Sequence, residues 1–344
     1  MEDRNIQNEI ELQAAKVASS TKHAGDVCAE GIFPLHHATR RSVEEPNFIH
    51  RLARFLARKT FFFWEKLGLH LTYVHYYEPV PDTRTLDNSL WSLSFDVPGM
   101  EMNEASQINL LEDVSARYSW DWAKWTRLGV PHNGDFFLGN GYFDCVDAEL
   151  LYSLVRKFKP RRFYEIGSGF STLLAQQAIA DNQKEHAAFQ CSHLVIDPFP
   201  ADYLCASKSV GLLPSRVQDV PLAAFETLEA NDVLFIDSSH VLTIGSDVRF
   251  EYLEILPRLK PGVLVHCHDI FLPAEYPRDW VFAHRRFWNE QYLLQAFLAH
   301  NSEFEILWAG NFMHLKNPDL LAKFIPSYQR RPDQPKSFWF RRKP

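Results

Sequence analysis

The stretch Arg162-Phe-Tyr-Glu165-Ile-Gly167-Ser168-Gly169 constrains the fold of this chain more than any other. An apolar run ends in an acid and then in Gly-x-Gly, and small and apolar residues at helical spacing follow from Ser171 to Ala180. This order predicts a strand, a tight turn and a helix. Glycines let the backbone approach a ligand closely, and the start of a helix offers N–H groups that lack partners within the helix. The turn is therefore a candidate ligand site at the edge of an α/β sheet.

The turn lacks the marks of a site for a nucleotide diphosphate. The third glycine of a dinucleotide fingerprint would fall at Thr172, and no Gly-Lys-Ser/Thr follows. A dehydrogenase is therefore disfavoured, and a ligand without a diphosphate fits better. Taken alone, the turn is equally compatible with an ordinary connection between a strand and a helix.

Three further apolar runs end in acids, namely Asp197, Asp237 and Asp269. Ligands of open α/β sheets bind outside the carboxyl ends of the strands, so these acids are expected at one site. Alternating strands and helices predict a parallel, doubly wound sheet. The predicted strands are Arg162–Ile166, His193–Ile196, Ser215–Val217, Val233–Ile236, Val263–Cys267, Phe304–Trp308 and Ser337–Phe340.

The arrangement resembles the class I S-adenosylmethionine-dependent methyltransferases over about residues 135 to 344. Glu165-Ile-Gly-Ser-Gly169 is similar to their first motif, and Asp197 to their ribose-binding acid. Phe235-Ile-Asp-Ser-Ser-His240 and His266-Cys-His-Asp-Ile-Phe-Leu-Pro273 look like the branch with the methyltransferase 24 domain. The resemblance implies a Rossmann-like, doubly wound sheet of seven mostly parallel strands, of which the last is antiparallel.

The resemblance also implies S-adenosylmethionine as the cofactor. Asp219 resembles the position beside the adenine, although a polar turn residue is an equally good interpretation. The implied cofactor-binding residues are Glu165, Gly167, Ser168, Gly169, Ser171, Thr172, Asp197, Asp219, Asp237 and Ser238.

Composition narrows the class of protein. Hydrophobic residues make up 46% of the 344 residues and charged residues 23%, which is typical of a globular protein. The net charge of −7 provides no general attraction for nucleic acid, so a small-molecule substrate is expected. Five cysteines without C-x-x-C spacing argue against disulfides and structural zinc, and the polar start of the chain resembles no signal peptide. We therefore expect a cytoplasmic protein without integral membrane segments, and its oligomeric state, including a homo-oligomer, stays open.

The chain is expected to have three parts. Residues 1–30 are polar and predict a flexible tail, residues 31–145 a largely helical cap that contacts the substrate, and residues 146–344 the core that binds S-adenosylmethionine. Aromatic faces attract a sulfonium cation, so aromatic residues of the cap are candidate contacts. The alternative is that they pack within the cap. The candidate cap contacts are Tyr76, Tyr77, Asn140, Tyr142 and Phe143.

Methyl transfer from a sulfonium needs positioning and removal of a proton from the acceptor. The candidate catalytic residues at the ends of the fourth and fifth strands are Asp237, His240, His268 and Asp269. The same four side chains could hold a divalent ion such as Mg²⁺, which would lower the pKa of the acceptor hydroxyl. The catechol type usually has Asp-Asn after the fifth strand, whereas this chain has Asp269-Ile270, and we favour catalysis without a metal.

The sequence therefore predicts O- or N-methylation of a small molecule in specialised metabolism. One alternative is an enzyme that closes S-adenosylmethionine on itself and releases methylthioadenosine instead of S-adenosylhomocysteine (SAH). Another is a partner protein that binds the cofactor without catalysis, although the retained acids and glycines disfavour it.

Overall fold

The computed structural model describes residues 48–92, 96–125, 135–205, 209–330 and 335–344. The chain divides into two compact units, Met1–Tyr73 and Val74–Pro344. The predicted tail, residues 1–30, lies outside the described residues, and so does the start of the predicted cap. The division into tail, cap and core stays a prediction.

The described part of the first unit contains two helices, α1 (Phe48–Lys59) and α2 (Phe61–Lys66). Arg58 on α1 donates a hydrogen bond of 2.6 Å to the hydroxyl of Tyr73, and Arg54 lies 5.0 Å from the centre of the same ring. The two arginines therefore tie the segment after α2 back to α1.

The second unit is built on one sheet of seven strands. Its order is β3-β2-β1-β4-β5-β7-β6, and β7 runs antiparallel to both β5 and β6. The first five strands are parallel, which confirms the predicted Rossmann-like sheet with an antiparallel last strand. The strands are β1 (Arg162–Ile166), β2 (Ser192–Ile196), β3 (Gly211–Leu213), β4 (Val233–Ile236), β5 (Leu264–Cys267), β6 (Phe304–Ala309) and β7 (Phe338–Arg342).

Helices precede, connect and follow these strands. Short 3-10 turns lie at Asn88–Trp91, Val217–Asp219 and Leu256–Arg258, and a π-helical turn lies at Glu251–Ile255. The α-helices of this unit are α3 (Glu104–Trp122), α4 (Asp147–Phe158), α5 (Phe170–Glu185), α6 (Asp202–Cys205), α7 (Leu222–Phe225), α8 (Asp247–Phe250), α9 (Arg278–Phe282), α10 (Glu290–Leu298), α11 (Gly310–Lys316), α12 (Pro318–Phe324) and α13 (Pro326–Arg330).

The core lies around the middle of the sheet, where every residue of β4 and β5 is buried. A strand covered on both faces reads as a continuous apolar run, as the Val-Leu-Phe-Ile of β4 does. Helix α3, from the predicted cap, joins this core: Trp122 donates a hydrogen bond of 3.1 Å to Ser153 on α4. The pairing of β1 with β4 and of β4 with β5 places the carboxyl ends of these three strands side by side.

Two sequence predictions differ from the structure. The third strand was expected at Ser215–Val217 but lies at Gly211–Leu213, before Pro214. The run Leu69–Tyr77, whose β-branched and aromatic residues also predict an extended strand, forms no strand in the structure. Between the last two strands the sequence also predicts a helix at Asn317–Phe324, which the structure has as α12, with α11 and α13 on either side of it.

None of the helices that the structure describes combines the length and the apolarity needed to cross a membrane.

Candidate active site

The turn after β1 requires glycine at its first position. Gly167 has φ +88°, and a Cβ placed there would lie 1.9 Å from the backbone carbonyl oxygen of Asp237. The backbone N–H of Gly167 donates to Ile196 on β2, and that of Asp237 donates to Ile166 on β1, at 3.0 and 2.9 Å. The turn is therefore pressed against the ends of β2 and β4, and only a residue without a side chain fits.

Glu165 fixes this turn from beneath. Its buried carboxylate accepts a hydrogen bond of 2.5 Å from the hydroxyl of Ser171 and lies 3.3 Å from Nε2 of His193. The hydroxyl of Thr172 accepts a hydrogen bond of 3.0 Å from the backbone N–H of Gly169. The structure thus places Glu165 and Thr172 where they hold the start of α5, while Gly169 faces open space.

A cavity of about 470 Å³ opens at the carboxyl ends of β1, β2 and β4; we call it the Asp197 cavity. The carboxylate of Asp197 accepts hydrogen bonds from the Ser168 hydroxyl and from the backbone N–H of Phe199, the latter at 2.7 Å. The cavity is lined by Ile166, Gly167, Ser168, Ile196, Asp197, Pro198, Phe199, Arg216, Val217, Gln218, Asp237, Ser238, Ser239, Ser246 and Asp247. Of the predicted cofactor residues, Gly167, Ser168, Asp197, Asp237 and Ser238 meet here.

The structure does not bring Asp219 into the lining of this cavity. Its side chain is half exposed and forms a two-bond ion pair with Arg216, at 2.9 and 3.0 Å. The preceding residues Val217 and Gln218 line the cavity instead, because the 3-10 turn directs them inward.

A second cavity of about 550 Å³ shares Ser168 and Asp237 with the first; we call it the His268 cavity. Six aromatic side chains and two long cations contribute to its wall. It is lined by Gly141, Tyr142, Phe143, Ser168, Gly169, Phe170, Ser171, Tyr203, Asp237, His268, Asp269, Trp280, Arg286, Trp288 and Lys336. Two ligands bound in the two cavities would meet at Ser168 and Asp237.

Charged side chains gather between the ends of β4 and β5. Nε2 of His240 lies 3.3 Å from Asp237 and 3.5 Å from Asp269, and its Nδ1 lies 2.8 Å from Glu290 on α10. Asp269 also pairs with Lys336 at 3.0 Å. His240 and Asp269 both adopt positive φ, 61° and 55°, a costly conformation that tends to occur at functional sites.

The neighbouring carboxylates determine the charge of His240. Burial alone would lower the pKa of its imidazole, but the hydrogen bonds to Asp237 and Glu290 and the charge of Asp269 raise that pKa well above its usual value. Burial lowers the pKa of Lys336 as well, but the charges of Asp269 and Asp147 raise it by more, so the pKa of Lys336 lies above its usual value. Both groups are therefore cations that balance the buried carboxylates.

His268 differs from His240 in having unpaired ring nitrogens. Neither Nδ1 nor Nε2 has a hydrogen-bond partner among the described residues, and the nearest acid is Asp269, 3.9 Å from Nε2. Phe143 packs against its ring at 4.9 Å and His266 at 5.5 Å. Burial lowers the pKa of His266, which lies deeper in β5 and stacks on Phe235. His268 is thus the histidine of the cavity wall that can accept a proton.

The candidate cap residues have different places. Tyr142 and Phe143 line the His268 cavity, whereas Tyr76 and Tyr77 are exposed at 81% and 76% and line neither cavity. The amide of Asn140 accepts from the N–H groups of Tyr142 and Phe143 and donates to carbonyls of Phe137 and Phe143, at 2.7 to 2.9 Å. Asn140 therefore shapes the loop and does not face a cavity.

Among the site residues that sequence reasoning missed are Trp280, Arg286, Trp288, Lys336 and Glu290. Glu290 is 50 residues from His240, and an acid at the start of a helix usually indicates a favourable interaction with the helix dipole. The other four lie in connections that carry no motif. No sequence signal could have identified them.

The donor atoms of the predicted metal site argue against Mg²⁺. Asp237, His240 and Asp269 can each offer one ligand atom within 4.8 Å of the others, and His268 is not in this group. Mg²⁺ prefers oxygen ligands, whereas the central donor here is a nitrogen. In addition, His240 and Lys336 already neutralise the two carboxylates. The residues therefore do not fit Mg²⁺.

A family model described as a methyltransferase domain, methyltransferase 24, matches residues 164–270. The chain is 30% identical over 169 residues to an uncharacterized protein of Archaeoglobus fulgidus, which covers 46% of this chain and 73% of that protein.

Similar solved structures include two methyltransferases. The SAH-bound methyltransferase PaMTH1 of Podospora anserina shares 14% identity at a TM-score of 0.36, over 80% of this chain and all of that chain. The O-methyltransferase of Bacillus cereus in complex with SAH shares 13% identity at a TM-score of 0.35, over 69% of this chain and 91% of that chain.

Proposed function

Because the chain belongs to the class I S-adenosylmethionine-dependent methyltransferases, we propose that it methylates an oxygen of a small-molecule acceptor held in the His268 cavity. One observation carries the proposal. The cavity beside the predicted cofactor site is lined by a buried histidine whose ring nitrogens have no partner in the described chain. A buried polar group without a partner is costly, and a ligand hydroxyl would satisfy it.

The Asp197 cavity fits the methyl donor. Its volume of about 470 Å³ lies within the usual range for small-molecule sites. Asp197 would bind the ribose hydroxyls, and Val217 and Gln218 would contact the base. Gly169 lies in the wall of the neighbouring His268 cavity, where a Cβ would meet nothing within 4 Å. When bound, S-adenosylmethionine supplies an electrophilic methyl group for an in-line displacement.

His268 would remove the proton of the acceptor hydroxyl. The imidazolium formed in this way would lie 3.9 Å from the carboxylate of Asp269, which stabilises it. Phe143 covers the ring and limits the access of water. His240 was the other candidate base, but both of its N–H groups face carboxylates, Nε2 those of Asp237 and Asp269 and Nδ1 that of Glu290. We therefore assign His240 the role of positioning Asp237 and Asp269.

The size of the His268 cavity favours methyl transfer over the two alternatives. Ring closure of the cofactor needs no room for a second substrate, whereas about 550 Å³ is available beside Ser168 and Asp237. A non-catalytic partner protein would not need an unpaired histidine there. We propose acceptors such as those of specialised metabolism, whose sizes suit this volume.

Product analysis tests the proposal. Purified protein is incubated with S-adenosylmethionine and a panel of phenols, and SAH and methylthioadenosine are quantified. We expect acceptor-dependent SAH, and His268→Asn should lower kcat by about 10²- to 10⁴-fold at unchanged affinity for SAH. Methylthioadenosine without SAH would identify ring closure, and full activity of His268→Asn would remove the assigned base.

Chelation tests the exclusion of Mg²⁺. Turnover should survive EDTA, because His240 and Lys336 balance the carboxylates that a metal would need. Loss of turnover in EDTA and its recovery with Mg²⁺ would contradict this account.

A further inference from the structure

Arg286 is held rigidly in the wall of the His268 cavity. Its guanidinium lies over the rings of both Trp280 and Trp288, at 4.7 and 5.0 Å from their centres. Its backbone N–H donates a hydrogen bond of 2.9 Å to the carbonyl of Trp280. The two rings contact each other at 5.1 Å, and Trp288 in turn packs on His240 at 4.3 Å. The charged fork therefore has few orientations available.

None of the acids that the structure describes neutralises this fork. In the part of the chain that the structure describes, Arg286 has neither an ion pair nor a side-chain hydrogen bond, whereas Lys336 in the same wall pairs with Asp269. The neighbouring Arg285 donates to the carbonyl of Phe282 and does not line the cavity. Five donors of a preorganised guanidinium thus remain available at the wall of the acceptor site.

The stacking limits what can bind to Arg286. Two aromatic rings lie beside the guanidinium of this exposed side chain, so a ligand approaches it most readily at an edge of the fork that the rings leave open. A carboxylate is planar and accepts two parallel hydrogen bonds from that edge. The rest of the wall, with Tyr142, Phe143 and Phe170, suits an aromatic ring.

We infer that the acceptor is an aromatic hydroxy acid whose carboxylate is bound by Arg286. This inference rests on the proposed function and specifies its substrate class. On the His268 side, the cations His240 and Lys336 are already paired with Asp237 and Asp269, whereas Arg286 has no acidic partner among the described residues. The carboxylate therefore points to Arg286 and the hydroxyl to His268, so one charged group sets the orientation for transfer.

Arg286 also lines a smaller cavity of about 290 Å³ together with Trp288, Tyr276 and Tyr292. The guanidinium thus stands between the two spaces, and longer hydroxy acids have room beyond the ring that carries the hydroxyl. Acids with a short chain between ring and carboxylate are therefore included among the probes.

Binding to the SAH-saturated protein tests the inference. The probes are 4-hydroxybenzoate and 3-(4-hydroxyphenyl)propanoate, each compared with its primary amide by calorimetry. We expect each acid to bind about 10- to 100-fold more tightly than its amide. Arg286→Gln should abolish the preference, and Arg286→Lys, which keeps the charge but not the fork, should lose most of it. Arg285→Gln is the matched control and should keep the preference in full.

Equal binding of acids and amides by the wild type, or a preference that survives Arg286→Gln, would overturn the inference. If Arg286→Gln fails to bind SAH, the preference of Arg286→Lys for acids over amides tests the inference instead, and a full preference in that variant would overturn it. Transfer of labelled methyl groups separates this test from that of the proposed function. Transfer to amides as fast as to acids would overturn the inference alone. Acids that bind through Arg286 and are never methylated would overturn the proposed function alone.

Discussion

At the scale of single residues, His240 shows how much the role of a side chain depends on distant partners. The sequence made it a candidate base because it follows Asp237 by three positions. In the structure Glu290, which is 50 residues away in the chain, contacts its other nitrogen. Acids on both ring nitrogens hold His240 in its protonated form, and neither nitrogen of an imidazolium has a lone pair to receive a further proton. Local spacing predicted the cluster but could not predict its protonation.

The raised pKa of His240 predicts a pH-dependent stability. A histidine whose pKa is higher in the folded state stabilises the fold fully at pH values below its unfolded pKa of about 6.5. This stabilisation is lost as pH rises through the folded pKa. His240→Gln removes the cation that Asp237, Asp269 and Glu290 share, of which Asp269 keeps Lys336 as a partner, and should cost about 3 kcal/mol near pH 6. Thermal unfolding between about pH 6 and pH 10 should show the gap to wild type narrowing with pH. A constant gap would mean that His240 is neutral in the folded protein.

The two glycines of the first motif should respond differently to the same substitution. Gly167→Ala forces a Cβ to within 1.9 Å of the Asp237 carbonyl oxygen, so it should lower stability by at least about 2 kcal/mol. Gly169→Ala meets no atom within 4 Å and should leave the unfolding temperature unchanged while weakening SAH binding. Calorimetric unfolding and SAH titration measure both effects. Equal loss of stability in the two variants would contradict the geometry of this turn.

At the scale of elements, the strands that end in acids were predicted well because their apolar runs are fully buried. β1 was predicted at its observed bounds, and β4 likewise. β3 was misplaced because it is short, lies at the edge of the sheet and is only partly buried, so its periodicity is weak. The prediction that Asp219 lies beside the adenine depended on that misplaced strand. The assignment of Asp219 to the adenine stays a prediction.

The loop shaped by Asn140 is the element that covers the predicted base. Asn140→Ala removes four hydrogen bonds and should destabilise the loop by about 1–3 kcal/mol. Because Phe143 packs on His268, the loosened loop should also lower kcat. Hydrogen exchange of residues 137–145 should quicken while that of β4 stays slow. Unchanged exchange in this loop would show that Asn140 does not hold it.

At the scale of the whole molecule, the sheet order determines which side chains can meet. The order β1-β4-β5 places the ends of three strands side by side, so Gly167, Asp237 and Asp269 converge although they span about a hundred residues. This convergence was predictable from the alternation of strands and helices. The acceptor wall was not, because Trp280, Arg286 and Trp288 lie in a connection whose path depends on packing. Substrate specificity is thus built on the part of the chain that carries the weakest sequence signal.

The central claim is that the donor binds in the Asp197 cavity and delivers its methyl group to the His268 cavity. A crystal structure of the protein with SAH tests it most directly. We predict the ribose hydroxyls on the Asp197 carboxylate and the sulfur near Ser168 and Asp237, facing His268. SAH bound elsewhere, or with its sulfur turned away from the His268 cavity, would contradict the account.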